Sequence, residues 1–457
     1  MVFKRRGYQR VDTYKGPTDI PLFVNISGTP YTVNFEHVTS HKDFRRLEYK
    51  EQLSGAIARI IKCGGRHSRW EHVFGAYFNG QQEVKQGDLR FKTPFDEFVF
   101  HSLNLLHDIG QGPKSHISEI ALHGYGLENH KKRAIRIIRE RMGPPLAAAV
   151  GNAFGPVNFA EQVAAEMERE GPIYNLVAAK IGGTDKLDYL VRDRKECKLG
   201  GDIEIETLIS GIVFDGEQHG IRFELRDKVQ QLIEILVDNN RNLYLDGDVE
   251  TYEGFQIRSM CYVIDGAEFR REGWHVNPED LYGFTDPELD HEIHHNGEGR
   301  HIAEALDDKP IEWWRPVGYI KLGPYGRVAR EEMPGAHVDE VTETDLEGLK
   351  EATTLPRLVA LEKSLMKTLD LTPSQIVFTT SPQIDRLMLR SPLLAYPRGD
   401  GYDFRPMSEL QPNFLTGVND RLKEHWSVRL IASQDAWEKV RSHVEDKGGL
   451  KALLQAA

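Results

Sequence analysis

The stretch DEFVFHSLNLLHDI at 96–109 limits most strongly how this chain can fold. It reads as one largely apolar helix, so it has to be buried. Thr93 can cap it, Pro94 suits its first position, and Asp96 favours the positive end of its dipole. Gly110, Gly112 and Pro113 stop it. Yet the last turn carries His107 and Asp108 side by side. A buried imidazole next to a buried carboxylate is costly unless the two are paired or coordinating. The Gly-Gln-Gly-Pro break after it lets the chain fold back, so that Lys114, His116 and Glu119 can approach the same spot.

Two more segments carry residues of the same chemistry. In HSRWEH at 67–72, Trp70, Val73, Phe74 and Tyr77 recur at helical spacing and should face the core, while Arg69 and His72 fall together on another face. A cation and an imidazole on one face suit a site that holds both a metal and an anion. In TDKLDYLVRD at 184–193, Tyr189, Arg192 and Asp193 lie within about 80° of Asp185 around a helix. Leu187, Leu190 and Val191 take the opposite side, and Lys186 is adjacent to the polar face. Three segments of this kind, each with basic residues beside it, predict a shared metal site. Imidazole with carboxylate suits Fe, Mn, Zn or Co, and carboxylates suit Mg.

The 457 residues are enough for two or three domains. Residues 1–20 read as a loose N-terminal arm. Residues 21–310 form a mainly helical core, opened by two short β-like runs, PLFVNI and YTVNF, around the turn SGTP. NHKKRAIRIIRERM and RDKVQQLIEILVDNNRNLYL read as further helices. Residues 311–457 form a smaller α+β region, with strands in WWRPVGYIKLGPYGRV, SQIVFTTSP and SVRLIAS and helices in LPRLVALEKSLMKTL and SQDAWEKVRSHVEDKG. No apolar run is long enough to span a bilayer. Three scattered cysteines, Cys63, Cys197 and Cys261, form no disulfide framework, which fits a reducing, cytoplasmic setting. With 58 basic and 70 acidic residues the net charge is −12, which argues against a broad nucleic-acid surface but not against a pocket for one phosphate chain.

The motifs resemble those of a known family. H…HD…D in this order is similar to the HD-domain metallophosphohydrolases. RWEHVFG resembles R-F-E-H-S-L-G, LLHDIGQGPKSH resembles L-x-H-D-I/L-G-H-G-P-F-S-H, and DKLDYLVRD resembles D-K-x-D-Y-x-x-R-D. These are signatures of the deoxynucleoside triphosphate triphosphohydrolases, among them the SAM-and-HD-domain enzyme and the bacterial dGTPases. FRRLEYKEQLSG and the stretch from IVFTTSP onward also resemble that family, so the likeness covers most of residues 20–445. It implies a mainly α fold, with an HD-domain helical core and a smaller α+β C-terminal region.

The resemblance also implies roles. His72, His107, Asp108 and Asp185 would hold a divalent metal. Arg69, Lys186 and Arg241 would hold phosphates, and Gln52, Tyr189 and Asp193 would contact the deoxyribose. His116, Glu119 and His130 would supply acid, base or relay groups. The activity implied is hydrolysis of a dNTP to deoxynucleoside and triphosphate by metal-activated water attack on the α-phosphorus, in a homo-oligomer open to a nucleotide activator and with no membrane partner. Two departures stand out. Gln111 takes the catalytic position where the family has a second His, which makes His130 the better proton donor. Ser40, Arg45 and Glu48 stand where the eukaryotic enzyme reads a guanine activator, so that site is expected to be absent or altered. Two other readings stay open: an HD phosphatase or phosphodiesterase acting on nucleotide monophosphates or cyclic dinucleotides, and a nucleotide sensor without turnover. His291 and His295, four apart, could bind a metal but suit a solvated helix better. Trp313 and Trp314 suit a packing junction. In KKRAIRIIRER the expectation is one wet basic face, with Lys131, Lys132 and Arg133 near phosphates if the helix leads out of the site.

Overall fold

The computed structural model describes residues 7–53, 57, 67–201, 203–265, 278–295, 297–323, 335–381 and 387–456. It is mainly helical, with a smaller α+β part toward the C-terminus. Eight of its helices build the site or tie it to the rest of the chain: α1 (Arg69–Gln86), α2 (Pro94–Leu106), α3 (His116–Gly124), α4 (His130–Arg141), α5 (Thr184–Glu196), α6 (Gly247–Asp265), α7 (Asp286–His295) and α8 (Leu355–Leu369).

Local chemistry starts the first two. Ser68 and Glu71 form a reciprocal capping box on α1. Thr93 and Asp96 do the same on α2, where Pro94 takes the first turn as the sequence predicts. Helix α1 packs against both α2 and α5, which brings the three chemical segments together. Helix α2 ends at Leu106, and His107 is its C-terminal cap residue. The loop beyond it touches the start of α4 at Gly110, where any Cβ would overlap the backbone of His130 and Ala134. Glycine there lets α4 begin beside the HD pair.

The main apolar core runs through α1, α2, α4 and α5 and includes Val73, Phe74, Phe98, Phe100, Leu103, Ile138, Leu187 and Leu190. Residues 8–21 do not form a loose arm. Tyr8–Thr13 and Gly16–Pro21 pair as an antiparallel hairpin, and Val11 and Ile20 are buried against the core. The few apolar residues of this polar segment anchor it. The runs 21–34 do pair, Phe23–Asn25 with Thr32–Asn34. The stretch read as one helix to Leu245 is divided: the α-helix Arg226–Asn239 passes into a five-residue π-helical turn, Asn240–Tyr244. A helix at Leu450–Ala456 had no distinct sequence signal.

Two sheets complete the structure. Ile376–Thr380, Ser427–Ser433, Trp314–Leu322 and His337–Val341 form one, in that spatial order, with α8 against it. The other joins Gly401–Pro406 and Leu393–Arg398 to His219–Arg222, Ile212–Phe214 and Asp88–Leu89. The Pro/Gly-rich stretch after 391 thus returns to the sheet beside α1. Helix α6 is tied to the C-terminal region by two buried ion pairs, Arg258 with Glu362 of α8 at 2.7 Å and Glu250 with Arg429 of the sheet at 3.2 Å. Trp314 packs against Phe255 of α6 with ring centres 5.2 Å apart, so the tryptophan pair is a packing junction. Among the described residues no helix is long and apolar enough to cross a membrane.

Candidate metal centre

His72 reaches inward from α1, His107 from the end of α2 and Asp185 from the first turn of α5. Their ligand atoms lie within 4.8 Å of one another. The decisive feature is how the two imidazoles are held. His72 Nδ1 is 2.9 Å from Asp188 Oδ2, and His107 Nδ1 is 3.1 Å from the Asn104 carbonyl oxygen. Both partners are acceptors only, so each Nδ1 carries a hydrogen. The two Nε2 atoms then face each other 3.4 Å apart, with Asp185 Oδ1 at 3.2 Å from one and 3.9 Å from the other. Facing lone pairs beside a carboxylate need a positive charge between them. The donor set, two imidazole nitrogens and one carboxylate, fits a divalent transition metal.

The fourth expected ligand, Asp108, lies beside this group rather than within it. Its Oδ2 is 3.8 Å from His72 Nε2 and 3.9 Å from His107 Nε2. It accepts from Arg69 Nη1 at 2.6 Å, while Gln111 Nε2 donates to Oδ1 at 3.3 Å. Burial would raise the Asp108 pKa, but Arg69 and the two imidazoles hold it well below the usual carboxylate range. Burial also opposes ionisation of Asp185, and Lys186, at 3.4 Å, is first among the groups that keep it ionised. Burial likewise lowers His72, yet its hydrogen bonds to Asp185 and Asp188 push its pKa up to about 9, so a proton competes with a cation for Nε2. His107 is lowered, mainly by burial.

Arg69 donates through Nε to Ser115 Oγ at 2.9 Å, and its Nη2 is buried without a hydrogen-bond partner among the described residues. Lys186 Nζ lies 4.3 Å over the Tyr189 ring, whose centre is 6.3 Å from that of His72. A free guanidinium nitrogen and an ammonium thus flank the centre. Glu119, in α3, bridges two more imidazoles: Oε2 is 2.9 Å from His130 Nδ1 and 3.4 Å from His116 Nδ1. His116 is largely exposed, whereas His130 is held more closely and feels the charge of Asp108. Against the pull of burial, Glu119 raises the His130 pKa.

Several expected site residues are otherwise engaged. Asp193 accepts from Tyr244 Oη at 2.7 Å and lies 2.8 Å from His67 Nε2, so both its oxygens are taken. Gln52 is buried beside His67, and its Oε1 has no hydrogen-bond partner among the described residues. Arg241 is exposed on the π-helical turn that also carries Tyr244. Lys114 does not join the centre, because Asp290 of α7 takes its Nζ at 2.6 Å. Arg45 pairs with Glu48 at 2.5 Å and stacks over Trp70, while exposed Ser40 hydrogen-bonds back to Glu36. The basic face of α4 is neutralised: Lys131 pairs with Glu170, Arg136 with Glu128, and Arg139 with Glu161 and Glu168. Arg133 stacks over Tyr282 at 3.9 Å instead of facing the centre. His291 and His295 pack together on the exposed face of α7, and among the described residues they join no metal-holding group. Cys197 and Cys261 are buried and form no disulfide among the described residues, and Cys63 lies outside the described residues.

The sequence matches no family profile. Over 202 residues, 39% of this chain, it is 23% identical to a protein of Acanthamoeba polyphaga mimivirus named for an HD domain, and it spans 43% of that relative's length. A hypothetical protein from Aquifex aeolicus aligns with a TM-score of 0.63 at 15% identity, over 95% of this chain and 99% of that one. A phosphohydrolase from Bacteroides thetaiotaomicron aligns with a TM-score of 0.58 at 17% identity, over 93% and 100%. The chain shares the fold of these two structures.

Three neighbours of the centre carry no sequence signal that was used to place them. Asp188 lies about 60° from Asp185 around α5, on the metal side of the helix, and helical spacing alone could have placed it there. His67 reaches the site through Asp193. Tyr174 feels the charges of Asp185 and Asp108 and lies under Lys131, and nothing local in its segment marks it.

Proposed function

We propose that this protein is a metal-dependent phosphohydrolase that converts a dNTP and water into a deoxynucleoside and inorganic triphosphate. The observation that carries the hydrolase reading is the pair of opposed Nε2 atoms at 3.4 Å beside Asp185, with cations flanking them. A divalent cation bound there would lower the pKa of a bound water and polarise a phosphoryl oxygen. Arg69 would place its unpartnered Nη2 on a non-bridging phosphate oxygen, and Lys186 would add a second positive charge. His130, protonated through its contact with Glu119, would give its proton to the leaving 5′-oxygen. The mimivirus relative and the Bacteroides phosphohydrolase support the broader hydrolase class. The dNTP specificity rests on the resemblance in the three motifs.

One observation favours a second reading, an HD phosphatase or phosphodiesterase acting on a shorter phosphate group. Both oxygens of Asp193 are engaged, so its carboxylate is not free for a sugar in this conformation. The test is incubation with each dNTP, singly and in mixtures, with Mn²⁺ or Mg²⁺, resolving the products by chromatography. Triphosphate release supports the proposal. Orthophosphate or monophosphate release supports the second reading, and binding without product makes the protein a sensor.

A further inference from the structure

We infer that Asp188 is a positioning residue that fixes the His72 imidazole for metal binding, clamped by Arg192 and admitted by a notch at Gly75. The inference rests on the metal-centre reading above. Imidazole can offer a metal only the nitrogen that lacks a hydrogen, so one tautomer of His72 presents Nε2 to Asp185 and His107 and the other does not. Asp188 Oδ2 stands 2.9 Å from Nδ1. Arg192 donates Nε to the same Oδ2 at 2.9 Å and Nη2 to Oδ1 at 2.8 Å. A carboxylate forked in this way can only accept, so the hydrogen stays on Nδ1 and the lone pair on Nε2. Arg192 is held in turn by the Asp12 carbonyl at 2.7 Å, which belongs to the N-terminal hairpin.

The backbone makes room for this arrangement. Gly75 follows His72 by three residues on α1, and a Cβ there would overlap the Asp188 carboxylate and the Arg192 guanidinium. All three partners are buried, His72 completely. A packed interior with a side-chain-sized gap at one glycine, filled by a forked ion pair aimed at one imidazole nitrogen, orients that imidazole. His107 has no such partner, because its Nδ1 meets a backbone carbonyl that substitution cannot remove. The two imidazole ligands therefore differ in their dependence on a side chain. Carboxylates in this relation to a ligating imidazole typically contribute about ten- to a hundredfold in metal affinity.

The experiment titrates Co²⁺ against a competing chelator in the full-length protein, with Asp188→Asn and Arg192→Lys alongside. Folding is checked by circular dichroism. The nitrogen shifts of ¹⁵N-labelled histidine report the His72 tautomer in the Zn²⁺-loaded protein. Asp188→Asn should weaken Co²⁺ binding by about ten- to a hundredfold and broaden or shift the His72 signals. Arg192→Lys keeps the charge but loses the fork, and should weaken binding by a smaller factor. An Asp188→Asn protein that folds with unchanged Co²⁺ affinity and unchanged His72 signals overturns the inference. If Asp188→Asn does not fold, unchanged affinity in Arg192→Lys overturns it instead. Failure of the unsubstituted protein to bind Co²⁺ would sink the metal centre itself, a different result from failure of the Asp188 variant alone.

Discussion

Arg69 Nη1 donates to Asp108 Oδ2 at 2.6 Å, so the carboxylate of the HD pair rests on a cation at the rim of the His72–His107–Asp185 group. The same oxygen is within 4 Å of both Nε2 atoms, close enough to serve the metal after a small rotation. Asp108→Ala should abolish turnover and sharply reduce bound metal. It removes a charged ligand and leaves the buried Arg69 uncompensated. Metal content by emission spectroscopy, with rate measured on the same preparation, checks this. A variant with full metal and full rate would remove Asp108 from the centre.

Gln111→His should be tolerated, with a retained or higher rate. The Gln111 backbone carbonyl accepts from Arg46 at 3.0 Å and from buried Lys50 at 2.7 Å, so the loop is held whatever the side chain. The side chain donates weakly to Asp108, and its Oε1 is buried without a partner among the described residues. Histidine can keep the donor and omit the orphaned oxygen. If the variant folds, keeps its metal and is inactive, this loop works differently from that of the resembling family.

Glu83, in the last turns of α1, is fully buried, and neither carboxyl oxygen has a hydrogen-bond partner among the described residues. Burial pushes its pKa well above the ordinary value. The folded state therefore holds the neutral acid over a range in which the unfolded chain ionises. Stability from this group is full below the unfolded pKa near 4.5 and is lost as pH rises toward the folded value. Glu83→Gln removes the titration. The variant should gain stability relative to the unsubstituted protein at pH 7–8 and show little gain near pH 4. Denaturant midpoints across that range measure it, and a difference that does not change with pH would contradict a neutral buried acid.

The caps of α2, the apolar faces of α1 and α5, and the meeting of His72, His107 and Asp185 were legible because each depends on helical spacing or local chain chemistry. The N-terminal hairpin was not, since its pairing rests on two buried apolar residues within a polar, Gly/Pro-containing segment. Lys114 misled because sequence showed a cation near the HD pair but not α7, whose Asp290 claims it from far along the chain. The partners of Asp193 were hidden in the same way, since Tyr244 arrives on a π-helical turn that a regular 3.6-residue pattern does not forecast. Long-range partners of charged groups are set by tertiary packing, and one-dimensional spacing does not encode them.

Deoxyribonucleotides should be strongly preferred over ribonucleotides, and the reason lies in Tyr189. It follows Asp185 by one turn of α5, so the two side chains share a face. Its ring is pinned from three sides: Lys186 Nζ at 4.3 Å, and the His72 and Tyr244 rings at 6.3 Å each. If Asp185 stands at the α-phosphate, as the proposed reaction requires, the sugar would be the next group along the nucleotide and would fall against this ring. A ring pinned in this way cannot withdraw to admit a hydroxyl at C2′. Burying an unpaired hydroxyl costs roughly 1–3 kcal/mol, or about five- to 150-fold in kcat/KM. Tyr189→Ala should relax the discrimination while lowering the rate, because the sugar is then less well held. The measurement is kcat/KM for matched dNTP and NTP pairs in both proteins. Equal values for a pair in the unsubstituted protein would defeat the sugar-gate reading and leave the general HD phosphatase as the better account.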